Sequence, residues 1–180
     1  MLTCRVPRFA ALLVLAAAVL AGCTPSTSAS SPTPTVSVST ASPTPTLSEG
    51  QKAANDTVTK YRAIIDQLRA QYKPDLAPLI EVSSDAAYEK WRYTIQDDFV
   101  NGHHQTGNSS VSILSTDPGT TAQEWIVSAC VDFSKVDIVD KAGKSVMPTP
   151  GGRERVAYTV DRVSTNPHWY VTKEEVGTTC

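Results

Sequence analysis

Apolar residues follow three different patterns along the chain. Residues 9–20 form an unbroken apolar run, and residues 24–48 are almost wholly Ser, Thr, Pro and Ala without a charge. From Ser48 onward, apolar positions recur first every three or four residues and then every second residue. The first period is that of an amphipathic helix and the second is that of a half-buried strand. The chain therefore divides into an apolar leader, a low-complexity segment and one folded domain.

Ser48 and Gln51 have the spacing of a capping box, which predicts that a helix begins here. The following apolar residues lie four and three positions apart on one stripe: Ala54, Val58, Tyr61, Ile65, Leu68 and Tyr72. Four charged residues fall outside that stripe: Lys60, Arg62, Asp66 and Arg69. The pattern predicts a helix that ends before Pro74. A membrane-active or coiled-coil helix has similar spacing, but one buried amphipathic helix of a globular domain is far more usual.

A second helix is predicted after a turn bounded by proline. Ser84 or Asp85 can cap its start, and Gly102 ends it. Its apolar positions again recur at helical spacing: Ala87, Tyr88, Trp91, Ile95 and Phe99.

The remaining residues alternate between apolar and polar and are separated by turn sequences. Strands are predicted over residues 111–115, 123–139, 144–147, 153–163 and 168–176, and the last two form a hairpin. Within the long strand, the two-residue period places five apolar residues on one face: Trp125, Val127, Ala129, Val131 and Phe133. The predicted fold class is therefore α+β, with two N-terminal helices packed on a curved, mostly antiparallel sheet.

The apolar run has the features of an export signal. Arg5 and Arg8 precede it, and it is shorter than the roughly 20 residues of a membrane-spanning helix. The end of the run leads into L-A-G-C, residues 20–23, which resembles the lipobox of bacterial lipoproteins. In that family the cysteine receives a diacylglyceryl group and a signal peptidase cuts before it, which implies cleavage between Gly22 and Cys23. The alternative is an ordinary signal peptide with a chance cysteine beside its cleavage site.

Three regions follow from these features. Residues 1–22 are a lipoprotein signal peptide, residues 23–47 hold the lipidated Cys23 and a disordered tether, and residues 48–180 form the α+β domain. The tether lacks the apolar residues that would offset the entropy of ordering it. Its glycosylation is left open. Two or more acyl chains on Cys23 give stable anchoring, so the expected location is the extracytoplasmic face of the cell membrane.

The order of long helix, second helix and strands can be compared with known domains. Together with "WIVSACVDFSKVDIVDKAGKSV" and "HWYVTKEEVGTTC", it resembles the cone-shaped domains of the nuclear transport factor two-like superfamily. The resemblance is greatest to uncharacterised lipoproteins of high-GC Gram-positive bacteria, and it covers residues 48–180. It implies an α+β cone that sometimes encloses a pocket.

Two cysteines, Cys130 and Cys180, lie in the predicted domain. An export signal places them in an oxidising compartment, where an even pair in a small domain usually forms a disulfide. The alternative is a free catalytic thiol at Cys130, which needs a histidine base nearby. Cys4 lies inside the signal and is removed with it.

No catalytic or metal-binding motif stands out. His103 and His104 are adjacent and follow Asp97 and Asp98, but the spacing is not that of a zinc site, so solvated helix-end residues are favoured over a weak metal site. No nucleophile elbow, phosphate-binding glycine loop or serine triad is present, and no cofactor is predicted.

Two functional hypotheses follow. The favoured one is a non-catalytic binding or interaction module that binds an unknown protein or small molecule at the cell envelope. The other is a small pocket enzyme of the lyase or isomerase type, or a small-molecule binder, on the cone-shaped fold. By residue type, the candidates for acid/base chemistry are Asp132, Tyr158 and His168, although core or surface roles are more usual at such positions.

Composition excludes one class of partner. The chain has 16 basic and 18 acidic residues and a formal net charge of −2. Nucleic-acid binding requires a concentrated basic patch that neutralises phosphates. Because the basic residues here are scattered among acidic ones, we expect no nucleic-acid partner.

Overall fold

The computed structural model describes residues 46–163 and 165–180. The predicted signal, the lipobox with Gly22 and Cys23, and the tether up to residue 45 lie outside the described residues. Among the helices within the described ranges, none has the length and apolar character required to span a membrane.

The first helix, α1, spans Glu49–Arg69 and begins at the predicted capping box. The backbone N–H of Gln51 donates to Ser48 Oγ at 3.2 Å, and the backbone N–H of Ser48 donates to Gln51 Oε1 at 2.9 Å. These bonds satisfy two backbone donors that a helix start leaves free. Because α1 ends at Arg69, about one turn earlier than predicted, Tyr72 lies outside the helix and is 62% exposed.

Two further helices follow. The short α2 spans Ala77–Ile80 within the segment predicted as a turn, and α3 spans Asp85–Asn101. Gly102 ends α3 as predicted, in a left-handed conformation (φ 72°) that favours glycine. On α3, Ala87, Trp91 and Ile95 are buried as the spacing predicts, whereas Phe99 is about half exposed.

The strands form two antiparallel sheets. Strands β2 (Ser110–Pro118), β3 (Glu124–Asp132), β5 (Arg153–Arg162) and β6 (Trp169–Thr179) pair in the order β2-β3-β5-β6. Strands β1 (His104–Thr106) and β4 (Asp137–Val139) form a separate pair. The architecture is α+β, as predicted.

The prediction of one long strand over residues 123–139 is wrong in one respect. This segment is interrupted by a turn in which Val136 N–H donates to the carbonyl of Phe133 at 2.9 Å, and its two halves, β3 and β4, join different sheets. The apolar alternation continues through this turn, so periodicity alone does not reveal the break. The strand predicted over 144–147 is reduced to an isolated bridge between Val139 and Ser145.

The core lies between the helices and one face of the four-stranded sheet, here called the inner face. Val127 pairs with Tyr158 and Ala129 pairs with Val156 across β3 and β5, so these side chains share that face. They pack against the predicted stripe of α1 and the buried positions of α3. The side chains with less than 2% exposure include Val58, Tyr61, Ile65, Leu68, Ile95, Val127, Val131, Val156, Tyr158 and Val160.

A disulfide joins Cys130 of β3 to Cys180, with 6.0 Å between the two Cα atoms. This confirms the predicted pairing. Alternation along β3 places Cys130 on the face opposite Val127 and Ala129. The alternative of a free catalytic thiol at Cys130 is therefore wrong, since its sulfur is bonded to Cys180.

Candidate functional site

A cluster of polar side chains is buried where α1 and α3 cover β6. Glu174 pairs with Tyr158 across β5 and β6 and therefore lies on the inner face. Its side chain is only 3% exposed. Its Oε2 accepts hydrogen bonds from Tyr61 Oη at 3.0 Å and Trp91 Nε1 at 2.8 Å, and its Oε1 accepts from Lys90 Nζ at 3.1 Å. Both helices are thus connected to the last strand through one carboxylate.

Arg62 of α1 is the second charged member of this cluster and is also 3% exposed. Its Cζ lies 5.0 Å from the centre of the Trp91 ring and 5.1 Å from that of Phe133. Its Nη1 is 3.9 Å from Glu174 Oε1, which is too long for a hydrogen bond. Among the described residues, Nε and Nη1 have no hydrogen-bond partner although both are shielded from solvent. The guanidinium is held by aromatic contacts and by charge, without a bonded counterion.

The positive charge of Arg62 is not matched by a hydrogen-bonded carboxylate. Arg62 and Lys90 each carry a positive charge, and Glu174 carries one negative charge that is hydrogen-bonded to Lys90. A buried ion costs several kcal/mol unless a partner with good geometry compensates it. The nitrogens of Arg62 are therefore the least satisfied buried groups of the cluster.

Asp66 lies one helical turn after Arg62 and is 4% exposed. Its Oδ1 accepts from Gln105 Nε2 at 2.9 Å, and its Oδ2 accepts from Ser109 N at 2.8 Å and Ser109 Oγ at 2.7 Å. These bonds fix the turn between β1 and β2 against α1. Gly107 in that turn has φ 70° and lies directly against the backbone of Lys135, which leaves no room for a side chain.

A cleft of about 530 Å³ opens between α1 and the start of β2, with Arg62 as part of its wall. Two small apolar side chains, Ala63 and Val111, and two amides, Gln67 and Asn108, also line it. The remaining lining residues are Thr59, Asp66 and Ser109. Because Asp66 holds Ser109 in place, the wall formed by β2 is fixed to the helix that carries Arg62.

Two tyrosines fill the interior beside this cleft. The rings of Tyr61 and Tyr158 meet edge to face with centroids 6.1 Å apart, and both side chains are 0% exposed. Burial, and then the negative charge of Glu174, raises the pKa of Tyr61. Burial also raises the pKa of Tyr158, although Arg62 lowers it in part. Both phenols are therefore held neutral, and their rings are part of the core between the helices and the sheet.

Removing the hydroxyl of Tyr158 is expected to be neutral or to raise the free energy of unfolding by up to about 1 kcal/mol. The hydroxyl is buried and has no hydrogen-bond partner among the described residues, so Tyr158→Phe removes an unsatisfied polar group. Tyr61→Phe is the matched control, because it removes a bond to the Glu174 carboxylate and should cost about 1.5–3 kcal/mol. Chemical denaturation of both variants tests this. Equal losses in the two variants would contradict it.

Alkaline pH is expected to unfold the domain through these tyrosines. In the unfolded chain a tyrosine loses its proton near pH 10, whereas the raised pKa values of Tyr61 and Tyr158 keep both protonated in the folded state. The stabilisation is thus complete below about pH 10 and falls as pH rises, by about 1.4 kcal/mol per pH unit for each tyrosine. Between pH 9 and 11, the free energy of unfolding should fall less steeply with pH in the Tyr61→Phe/Tyr158→Phe variant than in the unaltered chain. The same pH dependence in both proteins would contradict the role given to these tyrosines.

The three residues considered for acid/base chemistry are not brought together. Tyr158 is in the core, while Asp132 lies on the opposite face of the sheet. Asp132 pairs with Arg153 at one end of β5, and exposed His168 precedes Trp169, which pairs with Arg162 at the other end, roughly 30 Å away. Hydrogen bonds from Ser134 lower the pKa of Asp132, which keeps it ionised.

The two adjacent histidines lie at the junction of α3 and β1, with His103 between the two elements. His104 belongs to β1, contrary to the expectation of a helix-end residue, and its ring lies 4.5 Å from that of Tyr72. Asp98 forms an ion pair with Arg69 at 2.8 Å. Within residues 46–163 and 165–180, no group of three His, Cys, Asp or Glu side chains is placed to hold a metal ion.

Comparison with known proteins supports the fold class and does not define a family. No protein-family model matches the chain, and no curated protein matches it. Among solved structures, the chain is similar to the crystal structure of the intermembrane space region of the chloroplast protein ARC6. The two share 16% sequence identity with a TM-score of 0.57, over 75% of this chain and 100% of that one. At this identity the likeness concerns the fold alone.

Proposed function

We propose that the chain is a lipid-anchored protein of the extracytoplasmic face of the cell membrane. The lipobox-like residues 20–23 and the preceding apolar run support this location. The Cys130–Cys180 disulfide agrees with it, because structural disulfides persist in oxidising compartments. On this proposal the Ser/Thr/Pro-rich segment separates the α+β domain from the lipid on Cys23, and the domain is of the nuclear transport factor two-like kind.

The proposed role of the domain is non-catalytic binding of a small molecule in the cleft between α1 and β2. The observation that carries the proposal is the cleft itself, about 530 Å³ in volume, with the buried Arg62 in its wall beside apolar and amide side chains. Concave sites with a few fixed polar groups and apolar walls are typical of ligand pockets. Asp66, through Ser109, holds the opposite wall of the cleft, so the site is formed before a ligand arrives.

The anchor is tested by mass spectrometry of the mature N-terminus after expression in a Gram-positive host. A diacylglyceryl-modified Cys23 at the first position is the expected result. Cys23→Ala should abolish the modification and release the protein from the membrane fraction. Cleavage elsewhere, or an unmodified Cys23, would end the lipoprotein proposal.

The cleft is tested by screening a fragment library against the full-length chain in detergent, with resonances of the lining residues observed by NMR. Fragments are expected to shift the amides of Ala63 and Ser109. Ala63→Trp should block fragment binding, because Ala63 is exposed in the cleft and the indole ring would fill the cleft. Val100→Trp adds the same ring on exposed α3 and should leave binding unchanged. No fragment in the cleft, or equal binding to Ala63→Trp, would end the small-molecule proposal.

A further inference from the structure

We infer that the cleft binds a short extended peptide, which pairs with the free edge of β2 as an added strand; the inference rests on the proposed binding function of the same cleft. Strand β2 lies at the edge of its sheet, because it pairs with β3 on one side and no strand among the described residues pairs with its other side. An edge strand presents backbone N–H and C=O groups with which an extended peptide can pair.

Helix α1 covers this edge and is bonded to it at both ends. At one end, Asp66 Oδ2 accepts from the backbone N–H of Ser109 at 2.8 Å. At the other end, Gln51 Nε2 donates to the carbonyl of Thr116 at 3.0 Å. Between these two bonds the helix presents the small side chain of Ala63, and the cleft of about 530 Å³ opens there. The helix therefore covers the ends of the edge and leaves its middle accessible from the cleft.

The backbone of Val111 lies between the two bonds to α1, and Val111 lines the cleft. In a sheet, the backbone groups of successive residues point alternately to the two neighbouring strands. The N–H of Phe133 donates to the carbonyl of Gly152, beside β5, at 2.8 Å, so the backbone groups of Val131, two residues earlier, also point to β5. Val111 is opposite Val131, and its own N–H and C=O therefore point away from β3. The outward N–H of Ser109, two residues before Val111, agrees with this alternation.

One donor and one acceptor on the same residue select a peptide as the ligand. A ligand residue opposite Val111 can accept a hydrogen bond from the valine N–H and donate one to the valine C=O, as the residues of an antiparallel pair do. Directly opposite residues share a face, so the side chain of this ligand residue points to the inner face, where α1 carries Ala63. A cleft of about 530 Å³ is within the size range of small-ligand pockets. The favoured ligand is therefore a short peptide with a small central side chain.

The experiment titrates the isotope-labelled full-length chain in detergent with N-acetyl-trialanine amide and with the same molecule carrying an ester oxygen in place of its central N–H. The peptide is expected to give saturable NMR shifts at the amides of Ala63 and Val111 and to slow hydrogen exchange at Val111. The ester has nearly the same shape but cannot donate to the carbonyl of Val111, so its affinity should be at least about fivefold lower. Both molecules are uncharged, so the charges in the cleft wall do not distinguish them.

Val111→Pro is the informative variant, because proline lacks the N–H with which the peptide would pair. Proline is tolerated in an edge strand where its nitrogen faces outward, so the pairing of β2 with β3 should be kept. The variant should bind the peptide about fivefold more weakly or less, as followed at the amide of Ala63. Val111→Ala is the matched control. It also removes the valine side chain but keeps the N–H, so its affinity for the peptide should be close to that of the unaltered chain.

The outcomes separate this inference from the proposed function. If the ester binds as tightly as the peptide, if Val111→Pro binds it as tightly as Val111→Ala, or if hydrogen exchange at Val111 is not slowed, the strand-addition inference fails while a cleft that binds library fragments still stands. If the peptide does not bind, the inference also fails, and the fragment screen alone decides the proposed function.

The free chain provides a further test. Slow hydrogen exchange at Val111 before any peptide is added would show that another part of the chain or a second copy already occupies the edge, and would overturn the inference. Should Val111→Pro not fold, the comparison of the peptide with its ester on the unaltered chain still decides.

Discussion

Replacing Cys180 with serine is expected to lower the free energy of unfolding by about 4 kcal/mol. The disulfide closes a loop with a sequence separation of 50 residues, and in the chain-entropy model a loop of that length restricts the unfolded ensemble by about this amount. The substitution leaves Cys130 in place, so packing around its buried sulfur is preserved and the covalent link is what changes. Denaturation curves of the oxidised chain and the Cys180→Ser variant measure the difference.

The same loss should be reproduced without mutation. Reducing agent is expected to bring the unaltered chain to the stability of Cys180→Ser and to leave the variant itself unchanged. The terminal residues of β6 are exposed from Glu175 onward, so the reduced chain should also show faster amide exchange near Thr179, at the end of the strand. A loss below about 1 kcal/mol would be outside the range typical of native disulfides. It would show that strand pairing through β5 already holds β3 and β6 together without the disulfide.

Short-range sequence signals predict the start of α1, the end of α3 and the last hairpin correctly. The capping box at Ser48 and the left-handed Gly102 are short-range features, and both limit helices in the structure as predicted. The hairpin of β5 and β6 was likewise readable from alternation on both sides of a turn. The division of residues 123–139 into β3 and β4 cannot be predicted in this way. It depends on which sheet each half joins, and apolar alternation does not encode that long-range property.

The candidate site was less accessible to sequence reasoning than the fold. Arg62 falls outside the apolar stripe of α1, and charged residues in such positions are usually solvated. It is buried because α3 brings Trp91 and the segment after β3 brings Phe133 onto it. Glu174 stands in an alternating strand as one of two adjacent glutamates, and only the register of β6 against β5 turns it inward while Glu175 faces solvent. An acidic residue that faces the core would have indicated the site. That orientation follows only from the register of β6 against β5, which the sequence does not reveal.

Replacing Glu174 with alanine is expected to lower the free energy of unfolding by about 3–5 kcal/mol, the usual effect of breaking a buried ion pair by removing one partner. The change leaves Tyr61 Oη and Trp91 Nε1 without their acceptor and Arg62 without the nearest negative charge. Glu175→Ala is the matched control. Glu175 is exposed and pairs with Lys173 at the surface, so its loss should stay within about 0.5 kcal/mol. Comparable effects at the two positions would contradict the role of the buried cluster.

A second substitution separates the buried charge from lost packing. If Arg62 is the group left uncompensated in Glu174→Ala, then adding Arg62→Met, which keeps much of the side-chain volume without charge, should recover a large part of the loss. Replacing both partners of a buried ion pair with apolar residues is often neutral or stabilising, and the coupling between the two sites should reach about 1–3 kcal/mol in a double-mutant cycle. Additive effects would instead assign the loss to the bonds from Tyr61 and Trp91. Recovery would show that the uncompensated charge of Arg62, and not lost packing, causes most of the loss in Glu174→Ala.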